Sequence, residues 1–96
     1  MVLELAYLTV RPSTEGEFER AFPAAVRLLA ASRGYVSHEL HRCIETPNRY
    51  ALMVRWRTLE DHTEGFRGSP AFLEWRAQLA PFLAAAPEVA HFHPGV

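Results

Sequence analysis

His62 follows Leu59 by three positions and precedes Phe66 by four, the spacing that sets three side chains on one stripe of a helix. Such a stripe faces the protein interior, and histidine is the side chain that exchanges protons near neutral pH. His38 alternates with Val36 and Leu40 in a strand-like stretch, so it too belongs to a largely apolar face. If both faces border one cavity, the two imidazoles are candidate catalytic acid and base groups. The alternative for each is a hydrogen-bonded core or interface histidine. His91 and His93 share a face of a terminal strand about 7 Å apart, a spacing usable by a metal, but no third ligand is signalled. His41 falls on the opposite face from His38, so those two cannot chelate together. No metal site is assigned.

Other chemistries are excluded by residue type. All ten basic residues are Arg, which rules out Schiff-base chemistry and a lysine general base. Cys43 is the only cysteine, so there is no internal disulfide and no CxxC pair; it reads as a small packed thiol. Walker and Rossmann glycine motifs are absent. With a net charge of -1 and Arg and Glu scattered along the chain, there is no basic stripe for nucleic acid. No apolar run approaches the roughly 20 residues that span a bilayer, and the expectation is a soluble cytoplasmic protein.

The elements that must position the histidines follow from periodicity and punctuation. Val2 to Val10 alternates and stops at Arg11-Pro12, a first strand. Thr14-Glu15-Gly16-Glu17 is a T-x-x-E capping box, after which Phe18, Phe22, Val26 and Leu29 recur at helical spacing up to Arg33-Gly34. Pro23 falls inside this helix and predicts a kink. Tyr35 to Glu45 and Arg49 to Arg57 are strands joined by the turn Thr46-Pro47-Asn48, an antiparallel hairpin. Thr58, with Asp61 at the third position, caps a short helix, and Ser69-Pro70 opens another that Pro81 should bend or end. Glu88 to His93 is the last strand. The order is the split βαβ pattern of a ferredoxin-like α+β fold with a four-stranded antiparallel sheet, in one domain spanning 1–96.

One face of the third strand carries Tyr50, Leu52, Val54 and Trp56, while the other shows Ala51 and Met53 before Arg55. Helices on one side of the sheet bury only one of these faces. A second copy packed sheet to sheet would cover the other, since a two-fold axis makes the patch its own complement. A homodimer is therefore expected.

Read together, these segments resemble the antibiotic biosynthesis monooxygenase family over nearly the whole chain. The resemblance is carried by Val10-Arg11-Pro12, Phe18, Arg33-Gly34-Tyr35-Val36-Ser37-His38-Glu39-Leu40, Pro47-Asn48-Arg49-Tyr50, Arg55-Trp56 and Gly68-Ser69-Pro70-Ala71-Phe72, in that order and spacing. It implies a dimeric α+β barrel with a cavity between sheet and helices in each subunit. The heme-degrading branch is disfavoured: Arg76 stands at the position of its iron-ligating histidine, seven residues beyond Ser69, with Ala6 and Phe66 near the positions of its asparagine and tryptophan. The expected function is cofactor-independent monooxygenation of a quinol or other small aromatic, with His62 and His38 as the acid/base groups and no bound cofactor. Tyr7, Trp56, Phe66, Phe72 and Trp75 are the expected substrate-binding aromatics, although the inner stripe of the last helix also explains Phe72 and Trp75 as plain core. The alternatives are a protein of the same fold that binds a small hydrophobic ligand without turnover, or an isomerase or cyclase using the same histidines.

Overall fold

A computed structural model describes residues 1–96. Strand β1, Val2–Thr9, buries Glu4, Ala6 and Leu8 on alternate positions, as a pleated strand with one covered face must. It lies between β3, Arg49–Trp56, and β4, Glu88–Phe92; β2, Tyr35–Arg42, pairs with the far side of β3. All pairings are antiparallel and the sheet order is β2-β3-β1-β4, the ferredoxin-like arrangement expected of the pattern. A bulge between Tyr35 and Ser37 leaves Val36 outside the ladder and exposed.

Helix α1, Glu15–Ala30, turns Phe18, Phe22, Ala25, Val26 and Leu29 onto the sheet. It runs unbroken through Pro23, which sits on the solvent side. The capping box does not form. Thr14 Oγ1 donates backward to the Arg11 carbonyl at 2.6 Å, and the Glu15 carboxylate, rather than that of Glu17, accepts from the Ser13 N–H. Ser13 has φ 73°, so the chain enters the helix through a tight turn that commits the threonine hydroxyl elsewhere.

After β3, Thr58 Oγ1 accepts the Asp61 N–H at 3.1 Å as a cap, and a π-helical segment follows at Asp61–Phe66. Helix α2, Pro70–Leu79, starts from Ser69 in extended conformation with proline at the first helical position. It passes into a single 3₁₀ turn at Ala80–Phe82, where Pro81 cannot continue α-helical bonding. The core between helices and sheet is centred on Trp56, Tyr50, Phe18, Leu29 and Leu52, none more than 2 % exposed. The opposite sheet face carries Leu3, Leu5, Tyr7, Ala51 and Met53, half-buried, and Phe92, 48 % exposed; no helix of this chain packs over it.

Candidate functional site

The register of the sheet sets one row of side chains across its helix-facing side: His38 on β2, Val54 on β3, Glu4 on β1 and His91 on β4. Adjacent strands lie about 4.8 Å apart, so His38 is two strands, roughly 10 Å, from Glu4. His38 faces the helices, as its alternation suggests, but Val54 separates it from the rest of the row. Its Nδ1 pairs with the Tyr35 hydroxyl at 2.6 Å and its ring meets Phe22 edge-on.

The other end of the row is built differently. His62 descends from the π-helical segment and is only 3 % exposed. Its ring stacks on the Trp56 indole at 5.1 Å, with Phe66 stacked at 6.4 Å on a nearly parallel plane. The wide turn explains this geometry: Arg67 N–H donates to the His62 carbonyl at 3.0 Å, an i to i+5 bond, so residues 62 and 66 both project inward. Leu59, expected on the same stripe, is rotated off it and is 39 % exposed. Gly68 ends the turn where a Cβ would strike the Glu64 carbonyl.

His62 Nδ1 lies 2.8 Å from His91 Nε2, and its Nε2 stands 3.4 Å from Glu4 Oε1. The same Glu4 oxygen accepts the Trp56 Nε1–H at 2.9 Å. Burial dominates the ionisation of all three groups. It pushes the Glu4 carboxyl up, with the Trp56 hydrogen bond and the Arg67 charge opposing in part. It pushes His62 down from 6.5 to about 3, helped by Arg67 and then His91. His91 is lowered by burial and by Arg67. Both histidines are therefore neutral at pH 7, and a single proton lies between His62 Nδ1 and His91 Nε2.

Glu4 and His62 form part of the wall of a cavity of about 840 Å³ between β1, α2 and the segment at 83–87, within the range of small-molecule sites. The lining is mostly apolar, including Leu8, Leu29, Leu52 and Leu79, with Arg67 and Arg76 as its cations. Of the aromatics expected to hold a substrate, Phe66, Phe72 and Trp75 line it. Trp56 does not reach the cavity: it is fully buried behind His62 and orients Glu4. Even-numbered residues of β1 face the helices, so Tyr7 lies on the opposite sheet face under the Arg49 guanidinium, 3.9 Å from its ring centroid. His38 is likewise not brought to the cavity.

The sequence reading passed over Glu4 and paired His91 with His93 instead of His62. A signal existed for Glu4: it is the one charge in the phase of β1 that carries Ala6 and Leu8. Nothing local links residues 62 and 91. No group of three His, Cys, Asp or Glu side chains is arranged to hold a metal.

A small ferredoxin-like α+β domain with an apolar cavity walled by buried acid and imidazole groups is thus defined, and comparison with known proteins places it. The family model for antibiotic biosynthesis monooxygenase matches residues 1–78, and the chain belongs to that family. The protein YczJ of Bacillus subtilis (strain 168) is 47 % identical over 92 residues, covering 96 % of this chain and 97 % of that protein. A crystal structure from Bordetella bronchiseptica, assigned to the antibiotic biosynthesis monooxygenases, superposes with a TM-score of 0.93 at 37 % identity, covering 99 % of this chain and 97 % of that one. SnoaB, a cofactor-independent oxygenase from Streptomyces nogalater, shares the fold with a TM-score of 0.80 at 24 % identity over 96 % of this chain and 90 % of its own.

Proposed function

We propose that this protein is a cofactor-independent monooxygenase that ionises a quinol or other small aromatic hydroxyl compound and lets the resulting anion react with O2. The observation that carries the reading is the Glu4, His62 and His91 chain at the wall of an apolar cavity. Such a reaction needs one proton removed and then a site shielded from bulk water, where an electron can pass from the anion to O2 and the two radicals recombine through a new C–O bond. Phe66, Phe72 and Trp75 pack edge to face into an aromatic wall of the cavity against which a flat ring can lie, and Arg67 supplies positive charge where the anion forms. The description of SnoaB as a cofactor-independent oxygenase agrees with this chemistry.

The working unit is a homodimer in which the apolar sheet faces carrying Leu5, Ala51 and Met53 pack on each other. Oxygen uptake with a naphthohydroquinone, measured before and after exhaustive chelation, tests the activity. Uptake above the uncatalysed rate that survives chelation is expected. Binding without uptake would make the protein a ligand carrier of the same fold, and rearrangement without uptake an isomerase.

A further inference from the structure

We propose that Glu4, through Oε2, is the group that takes the proton from the substrate, and that His62 is a positioning residue acting through it. This assignment rests on the reading of the cavity as a place where an aromatic hydroxyl is ionised. The imidazole of His62 is the more obvious base by residue type, but burial holds it neutral and pushes it down to about 3, which makes it a poor proton acceptor, while the same burial pushes the Glu4 carboxyl beside it up. Nδ1 is engaged by His91 Nε2 at 2.8 Å, Nε2 is turned to Glu4 Oε1 at 3.4 Å, and the ring is stacked on Trp56.

The two oxygens of Glu4 are not equivalent. Oε1 accepts from Trp56 and faces His62, whereas Oε2 has no hydrogen-bond partner within the chain. Yet no fully buried side-chain oxygen or nitrogen in the structure is left unpartnered, so Oε2 must reach open space. Glu4 is 5 % exposed, and the space it borders is the cavity. A carboxylate is thus held by one oxygen with the other presented to whatever enters.

Its surroundings suit proton abstraction. Desolvation raises the carboxyl above its ordinary range, which makes the anion a stronger base than an exposed glutamate. Arg67, which acts electrostatically on Glu4, His62 and His91, lines the same cavity and makes no ion pair. It faces the charge that develops. In the step itself the substrate O–H bond breaks, its proton passes to Oε2, and the bonding pair stays on the substrate oxygen. No electron leaves the substrate until O2 enters. The substrate class is then an uncharged, acidic phenol, hydroquinone or enol with a flat apolar body.

The test uses para-nitrophenol, whose phenolate absorbs visible light, so its ionisation is read without turnover. In the unmodified protein the bound probe is expected as phenolate at pH values where the free probe is still largely protonated. Glu4→Gln, which keeps an acceptor for Trp56, should leave it neutral and lower oxygen uptake with a naphthohydroquinone by about 10²- to 10⁴-fold. His62→Gln should keep most of the bound phenolate while lowering kcat by up to about 10²-fold through misplacement of the carboxylate. Loss of ionisation in His62→Gln but not in Glu4→Gln overturns the assignment, as does oxygen uptake undiminished by Glu4→Gln. Should Glu4→Gln not fold, Glu4→Asp withdraws the carboxylate from the cavity, and an unchanged phenolate fraction in it overturns the assignment equally. Bound phenolate without any oxygen uptake sinks only the oxygenase reading. Failure of the probe to bind, or binding as the neutral phenol, sinks the base assignment.

Discussion

His62 Nδ1 and His91 Nε2 lie 2.8 Å apart, across a contact between the π-helical segment and the edge strand β4. The pair closes one end of a chain whose other end is Glu4. Its members are pushed away from charge by burial, and Arg67 adds to the effect on both histidines.

The His91 contact is open to mutation because β4 lies at the sheet edge. His91→Ala leaves a buried imidazole nitrogen without its partner, a cost of about 1–3 kcal/mol in stability. With His62 less firmly held, kcat should fall by up to about 10-fold with KM nearly unchanged, and His91→Asn, which retains an N–H donor, should recover part of both. Equal activity in all three proteins, measured by oxygen uptake, would show that the contact is structural only.

The depressed titration of His62 has a definite sign in stability. Unfolded, the group binds a proton near pH 6.5; folded, it resists doing so down to about 3. The unfolded state therefore takes up more protons as pH falls through that window, and the stability present above pH 6.5 is lost on acidification. Glu4 works oppositely: its raised carboxyl favours the fold at low pH, and that contribution disappears as pH rises through its folded value. Thermal melts should show the unmodified protein losing Tm relative to His62→Gln between about pH 7 and 5. A constant difference across that range would contradict the assigned direction.

The uncovered sheet face predicts its own experiment. Met53 stands at its centre, opposite Leu5 on β1 and Glu39 on β2. Sedimentation of the unmodified protein at micromolar concentration should give a dimer. Met53→Asp, which places a second carboxylate beside Glu39 in that contact, should shift it toward monomer, whereas a monomer at the outset would remove the dimer from the proposal.

Gly34 joins α1 to β2 with φ 85°, and a Cβ there would overlap the Asp61 carboxylate. Its carbonyl also accepts the Arg57 N–H at 2.8 Å, locking the start of β2 to the end of β3. Gly34→Ala should lose at least about 1–2 kcal/mol from the left-handed backbone alone. Combining it with Asp61→Gly relieves the overlap but not the backbone cost, so denaturant titration should show partial recovery. Full recovery would mean that the backbone conformation carries no strain.

The elements and their order were readable in the chain because each rests on local rules. Alternation in Val2 to Val10, the Ser69-Pro70 helix start and the Thr46-Pro47-Asn48 turn specify their own conformations. The two apolar faces of β3 likewise stated that one helical layer would leave the face of Ala51 and Met53 uncovered. Even local rules failed where a competing bond won, as at Thr14, whose hydroxyl turned back to Arg11. The site is another matter. Residues 4, 56, 62 and 91 meet only because strand register aligns Glu4 with His91 and the π turn lowers His62 onto Trp56. His38 was set two strands away by the same register, although its spacing in sequence looked as suitable. Side-chain type and period can say which face a residue joins, but distance within that face is a property of strand order, which only the folded sheet decides.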